Sequence, residues 1–264
     1  EPPETRPWLF FHFLRPLQHL RRKAERGEKQ YMTCRVLLIA STPSPDAVVA
    51  AAARLCYSDV SAADLLVDES SGKSEKLLGH LWKSGHFSPF EHASFTFAID
   101  GLSRVASHQL VRHRIASFSQ QSQRYVSMES PDVIMPLSVA GNPVFAGKFS
   151  ALADQAHRLY REMVEAGIPK EDARFILPHG WSTRLVMTMN ARELHHFFTL
   201  RLCRRAQWEI RDLARKMLRE ACGAAPLLFR TAGPTCVIYG ECREMNPCGK
   251  PYESLESLLN EEES

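Results

Sequence analysis

Apolar and polar positions along this chain switch between a two-residue and a 3.6-residue period. Cys34-Arg35-Val36-Leu37-Leu38-Ile39-Ala40 is an apolar run broken by Pro43 and Pro45, which predicts a buried strand. Asp46 then reads as the cap of a helix with Val48, Val49, Ala52, Ala53 and Leu55 on its apolar side. Ser74 opens a second helix, Glu75 to Ser84, and Gly85 stops it. From His92 to Ile99 the residues alternate, Ala93, Phe95, Phe97 and Ile99 against Ser94 and Thr96, which is strand spacing. Ser103 caps a helix that runs into a polar segment, and residues 125–134 read as extended. A long amphipathic helix covers 144–166 and ends at Gly167, and a short one around 169–176 stops at Pro178. Thr183 to Met189 reads as a strand. The longest helical pattern runs from Asn190 to Cys222, where Leu194, Phe197, Phe198, Leu202, Trp208, Ile210, Leu213, Met217 and Leu218 recur at helical spacing. The tail after Arg230 carries Gly and Pro, and its acidic run Glu261-Glu262-Glu263 reads as solvated or frayed. Strands and helices mix without strict βαβ alternation and without internal repeats. The fold class is therefore α+β, a largely antiparallel central sheet flanked by helices.

Composition narrows the picture. With 264 residues, 44% hydrophobic and 24% charged, the chain has material for a sizeable core. A net charge of +3 argues against a general nucleic-acid binder and leaves room for a local basic pocket. Cys34, Cys56, Cys203 and Cys222 fall singly in apolar segments and read as buried reduced thiols, which suits a cytoplasmic setting. Cys236, Cys242 and Cys248 lack the spacing of a metal site. No apolar run reaches the roughly 18 residues of a membrane span. Residues 1–31 stand apart: Trp8-Leu9-Phe10-Phe11 is too short for a signal core, and Arg15 to Lys29 is dense in Arg and Lys. They read as a leader or appended extension without fixed structure, Met32 being the natural start; a basic targeting helix is the alternative.

Chemistry concentrates in Arg112 to Tyr125, RHRIASFSQQSQRY. A packed core does not ask for such a run, because charged side chains are rarely buried without partners. Guanidinium forks interleaved with hydroxyls and amides suit phosphate and the polar edges of a heterocycle. Neither GxGxxG nor GxxxxGK[ST] occurs, so any nucleotide is held by side chains. Glu91-His92 and His195-His196 suggest metal pairs, but neither has a third ligand at helical spacing, and helix neighbours point about 100° apart. No metal site is expected, and His195 reads as structural. Arg201 lies one turn past Phe197 and Phe198, on or near the buried side, where a guanidinium needs an acceptor. Arg204 and Arg205 read as surface or interface residues. Ser122 has no local base to make it a nucleophile.

RHR, seven residues, then Ser122 resembles the signature of the flavin-dependent thymidylate synthases. Gly85 to His92 resembles the family's GHxSxxEH segment, and Ala173 to Pro178 its ARxxLP segment. Asn190-Ala191-Arg192-Glu193-Leu194, Arg201 and Ala206 to Arg211 resemble its NxRxLxxFxxxR and AQxEIR helix. The resemblance spans about 34 to 236 in the family's order. It implies a catalytic domain at 32–240, a C-terminal tail at 241–264, and conversion of dUMP to dTMP with FAD as cofactor, 5,10-methylenetetrahydrofolate as carbon donor and NADPH as reductant. It makes Arg201 the catalytic arginine. Gln109, Arg112, Gln120, Ser122, Gln123, Arg124 and Arg174 would join it in holding dUMP. His86, Ser88, Arg112, His113, Arg114, Gln120, Asn190, Arg192 and His196 would contact FAD. It further implies a homotetramer with active sites between subunits, without nucleic-acid or membrane partners. Gln120 stands where an acidic residue is common and His196 where an amide is common, which leaves the flavin contacts of both open. Two rivals are a nucleic-acid module using the arginine run and a flavoprotein of this fold without methyl transfer.

Overall fold

A computed structural model describes residues 34–62, 64–66 and 71–261, so the reading of residues 1–31 lies outside the described residues. The apolar run at the start forms β1 (Arg35–Ser41), followed by α1 (Pro45–Leu55) and α2 (Ser71–Ser84). A 3-10 turn, Ser88–His92, leads into β2 (Ser94–Ser103) and α3 (Arg104–Leu110). Then come β3 (Ala116–Gln120), α4 (Leu137–Ala140), α5 (Pro143–Glu165) and α6 (Lys170–Ala173). β4 (Ser182–Asn190) runs directly into α7 (Ala191–Arg201), and α8 (Trp208–Ala224) follows. Three short helices close the described chain: α9 (Pro226–Phe229), α10 (Thr235–Tyr239) and α11 (Leu255–Leu259).

The four strands form one sheet in the order β1-β2-β4-β3, antiparallel throughout. Phe95, Phe97 and Ile99 of β2 lie opposite Met189, Met187 and Leu185 of β4, and all are buried. Period-2 alternation thus builds one apolar face, which packs against Leu194, Phe197 and Phe198 of α7 and Ile210, Leu213 and Met217 of α8. On the other face Thr96 and Thr188 share a hydroxyl hydrogen bond of 2.9 Å. Gly101, at φ +76°, lies within the register shift of β2 between Asp100 and Leu102, a conformation that a side chain would strain. Met128, Tyr160, Ala173, Leu177 and Trp181 make a second, smaller cluster.

The predicted fold class holds, and several elements are corrected. β3 lies inside the polar run and is missing from the sequence reading; only its half-buried Ala116 and Phe118 carry strand alternation. Residues 125–134 are irregular, with one bridge from Val133 to Trp181. The single helix expected over 190–222 is two helices. Gln207 accepts from Ile210 N–H as the cap of α8, and Arg211 donates to the carbonyls of Arg204 and Ala206, satisfying the backbone at the break. Asp46 does not cap its own helix: its carboxylate accepts from Leu227 N–H and Leu228 N–H at the start of α9. Burial raises its pKa, against which the two backbone bonds work. Ser74 lies buried within α2, accepting from Arg54 at 3.2 Å. Cys34 is buried as expected, but Cys56 is exposed and Cys203 and Cys222 are half-buried. Glu261 is not solvated: it pairs with Arg204 and Arg215 and accepts from the Tyr252 hydroxyl at 2.5 Å. Tyr252 and Leu258 enter the main core.

Candidate active site

The β4–α7 junction organises the site. Asn190 ends β4 and caps α7, its side chain accepting from Glu193 N–H at 2.9 Å. That cap turns the first two turns of α7 toward a cavity of about 580 Å³. Trp82, Phe87, Phe90 and Ile115 give it aromatic and apolar walls; Ile238 and Tyr239 of α10 add to them. Its polar lining includes Glu91, Asn190, Arg192, Glu193 and His196, with Thr199 and Thr235. Arg192 pairs with Glu91, the acidic residue of the GHxSxxEH-like segment, to which the sequence alone assigns no contact. His195 also borders the cavity, but it is held structurally: its Nε2 bonds Leu228 O at 2.9 Å and its ring stacks on Phe229.

Beside the cavity a buried polar chain links the RHR loop to α7. Arg201 Nε–H donates to His113 Nε2 at 3.1 Å, and His113 Nδ1 lies 3.1 Å from Glu193 Oε1. Arg201 also reaches the Gln109 carbonyl at 3.5 Å, a long contact. His196 stands edge-on to His113 with centroids 5.8 Å apart, and Phe197 does the same at 4.9 Å. Burial pushes the His113 imidazole down to about 4, helped by the positive charges of Arg201 and His196. Burial raises the Glu193 carboxyl and lowers the Arg201 guanidinium.

A second group holds Arg104, Arg124 and Arg174. Arg124 pairs with Glu171 at 2.5 Å, and Arg174 Nε–H donates to Glu171 O at 3.0 Å. Arg104, missed in the sequence reading, donates to Gln121 O at 2.8 Å. Burial, then the charge of Arg174, lowers its pKa. Ser122 Oγ accepts from Arg124 N–H at 3.2 Å. Gln120 donates to Ser107 and Thr183 at 3.1 and 3.2 Å. Gln123 Nε2 and Arg104 Nε are shielded from solvent without a hydrogen-bond partner among the described residues. Buried donors of this kind call for an acceptor.

The structure thus brings Asn190, Arg192 and His196 to the cavity, with His113, Gln109 and Arg201 beside them, and joins Ser122, Arg124 and Arg174 through Glu171 and the Arg124 backbone, while Gln120 bonds Ser107 and Thr183 and Gln123 Nε2 has no partner among the described residues. It does not bring His86, Ser88, Arg112 or Arg114 into the cavity lining; all four are exposed. Glu193 was legible by the periodicity applied to Arg201, since it lies four residues before buried Phe197. Among the described residues no group of three His, Cys, Asp or Glu side chains is placed to hold a metal ion. No described helix is long and apolar enough to cross a membrane.

The chain combines an antiparallel α+β fold, an aromatic-walled cavity bordered by Arg192, and a separate group of arginines, a setting that suits planar ligands with polar edges. Comparison with known proteins makes this specific. Residues 37–227 match the Thy1 family model, thymidylate synthase complementing protein. A flavin-dependent thymidylate synthase of Geobacter sulfurreducens is 50% identical over 226 residues, covering 83% of this chain and 95% of that protein. One of Pyrococcus furiosus is 41% identical over 225 residues, covering 81% and 92%. A crystal structure of a UMP/dUMP methylase, PolB from Streptomyces cacaoi bound with 5-Br dUMP, matches with a TM-score of 0.64 and 27% identity, covering 74% of this chain and 93% of that one. The chain belongs to the Thy1 family, the flavin-dependent thymidylate synthases.

Proposed function

We propose that this chain converts dUMP to dTMP with FAD, taking the carbon from 5,10-methylenetetrahydrofolate and the reducing equivalents from NADPH. The observation that carries the reading is the Arg201 guanidinium, held by His113 at the side of the aromatic cavity. The cavity fits a flavin: Trp82 and Phe87 offer apolar faces, while Asn190, Arg192 and His196 offer polar partners for its edge. The bound flavin supplies hydride transfer, so the protein needs no covalent nucleophile of its own. Arg201 donates to the uracil edge and stabilises negative charge developing there, in a site already partly closed to water. It keeps its charge despite burial, because guanidinium loses a proton far above neutral pH. Arg112, Ser122, Gln123, Arg124 and Arg174 hold phosphate and ribose, the orphaned Gln123 amide finding its acceptor there. Gln109 lies near the base, and Gln120 stands between nucleotide and flavin. His86, Ser88, Arg112, His113, Arg114, Asn190, Arg192 and His196 contact FAD.

His86, Arg112 and Arg114 are exposed away from their own chain's cavity lining, and exposed Ile115, Tyr125 and Phe175 flank the arginine segments. Both observations support a homotetramer in which one subunit completes another's site. The free thiols Cys56, Cys203, Cys222, Cys236, Cys242 and Cys248 support a reducing, cytoplasmic setting. The visible absorption spectrum of the purified protein tests the function. A flavin spectrum is expected that bleaches with anaerobic NADPH in the presence of dUMP, with dTMP appearing only once methylenetetrahydrofolate is added. No flavin signal after incubation with excess FAD, or no dTMP from the loaded protein, overturns the reading.

A further inference from the structure

Glu193 borders the cavity but is assigned no ligand above, and it is only 6% exposed between Arg192 and the buried Leu194 of α7. Its partner explains why it is there. Arg201 Nε–H donates to His113 Nε2 at 3.1 Å, and a guanidinium has no acceptor atom. His113 Nε2 therefore carries a lone pair. An imidazolium, or the neutral ring protonated at Nε2, would set two N–H groups against each other. The ring proton is on Nδ1, and its acceptor is Glu193 Oε1 at 3.1 Å. Phe197, edge-on at 4.9 Å, fixes the plane of the imidazole. Glu193 is itself fixed, since its own N–H is tied into the Asn190 cap.

We propose that Glu193 is a positioning residue for the methylation reaction: by accepting from His113 Nδ1–H it sets the imidazole tautomer, and the imidazole in turn holds Arg201 by its Nε edge. This rests on the thymidylate-forming reading of the site. Of the terminal nitrogens of Arg201, Nη2 makes the long contact to Gln109 O and Nη1 has no hydrogen bond among the described residues, which leaves the outer edge of the fork for substrate. Glu193 and Arg201 lie near opposite ends of α7, about 12 Å apart along the axis at 1.5 Å per residue, so His113 clamps the RHR loop across the helix. Without the acceptor, the ring is free to place its proton on Nε2, which expels Arg201 Nε.

The test uses the FAD-loaded full-length chain with Glu193→Leu and Glu193→Gln. Glu193→Leu should lower kcat by on the order of tenfold to a hundredfold, the scale of a misplaced catalytic group. KM for dUMP should stay within about twofold, because Glu193 acts through His113 rather than on the nucleotide; Glu193 also borders the cavity, so kcat is taken per bound flavin. Glu193→Gln keeps a carbonyl acceptor and should restore most of kcat. Nitrogen-15 spectra of histidine-labelled wild-type protein, assigned with His113→Asn, should show His113 protonated at Nδ1 and bare at Nε2. A His113 protonated at Nε2 overturns the proposal even if the leucine variant fails to fold. So does wild-type turnover in Glu193→Leu, or equal loss in Glu193→Leu and Glu193→Gln. The nitrogen spectra do not depend on turnover, so a wild-type protein with the expected tautomer and no dTMP formation would sink the function while leaving the relay standing.

Discussion

Arg201 shows what one side chain does that its nearest substitute does not. Its Nε–H is spent on His113, and its terminal nitrogens stay in a fork. Lysine offers a point charge with no second edge, so Arg201→Lys cannot satisfy both partners. Turnover should fall by roughly a hundredfold or more, the scale of a lost preorganised donor, with flavin still bound. Steady-state kinetics and the flavin spectrum of the variant check this, and wild-type-like turnover would remove Arg201 from the chemistry. Two buried imidazoles set the response to acid. Burial, with the charges of Arg201 and His196, holds His113 at about 4, and burial holds His195 at about 4. Between pH 6.5 and about 4 the unfolded chain therefore takes up protons that the fold refuses. Stability is full above that window and falls as pH drops through it, by up to about 1.4 kcal/mol per pH unit for each histidine. Melting temperature against pH should show the decline, and His195→Gln should make it shallower; a flat profile contradicts both assignments. At this scale helical spacing marked Arg201, a charged residue on the buried side of an apolar segment, while Asn190, Arg192 and His196 were legible only through the family resemblance. Arg104 stayed hidden because nothing marks an arginine just inside a capped helix until Arg174 and Gln121 fold against it.

Between β2 and α8, the segment Ala206 to Arg211 acts on the fold rather than on ligands. Glu209 accepts from Ser103 N–H at 2.6 Å and from the Ser103 hydroxyl at 2.5 Å, fully buried. The same hydroxyl accepts from Ala106 N–H, as expected of the cap of α3. One carboxylate therefore joins the end of β2, the start of α3 and the start of α8. Glu209→Ala strands the Ser103 donors in the core, which costs about 1–3 kcal/mol for each buried group left unsatisfied. A clear drop in melting temperature is expected, larger than that of Ser103→Ala, and equal melting temperatures for wild type and Glu209→Ala would refute the joint. Elements with long, strongly periodic stretches were legible: α5 and β4 fall within a residue or so of their predicted limits. The break between α7 and α8 was not, because apolar spacing runs on through Leu202 to Ile210 while side chains, not composition, end the helix. β3 escaped because five residues on a sheet edge need bury only one face, and most of its residues are polar.

The fold class and the single main core were readable from the chain as a whole. The expectation that several chains share one site came only from family resemblance, because exposure of a side chain is a property of the folded surface. Ile115 and Phe175 are 66% and 84% exposed beside the arginine segments. If they pack between subunits, Ile115→Glu with Phe175→Glu should shift the protein from tetramer to smaller species in sedimentation; flavin content is not the readout, because Ile115 also walls the cavity. An unchanged tetramer in the double variant would place the interface elsewhere. The strand order carries a consequence of its own. β3 hydrogen-bonds only to β4 among the described strands, so its other edge presents bare amide and carbonyl groups, between Arg112 and Arg114 on one side and Arg124 on the other. An open edge is a template for self-association, and like charge beside it is a gatekeeper. Like-charged guanidinium groups flanking this edge should therefore oppose edge-to-edge pairing in dilute solution, and anions that neutralise them should weaken that protection.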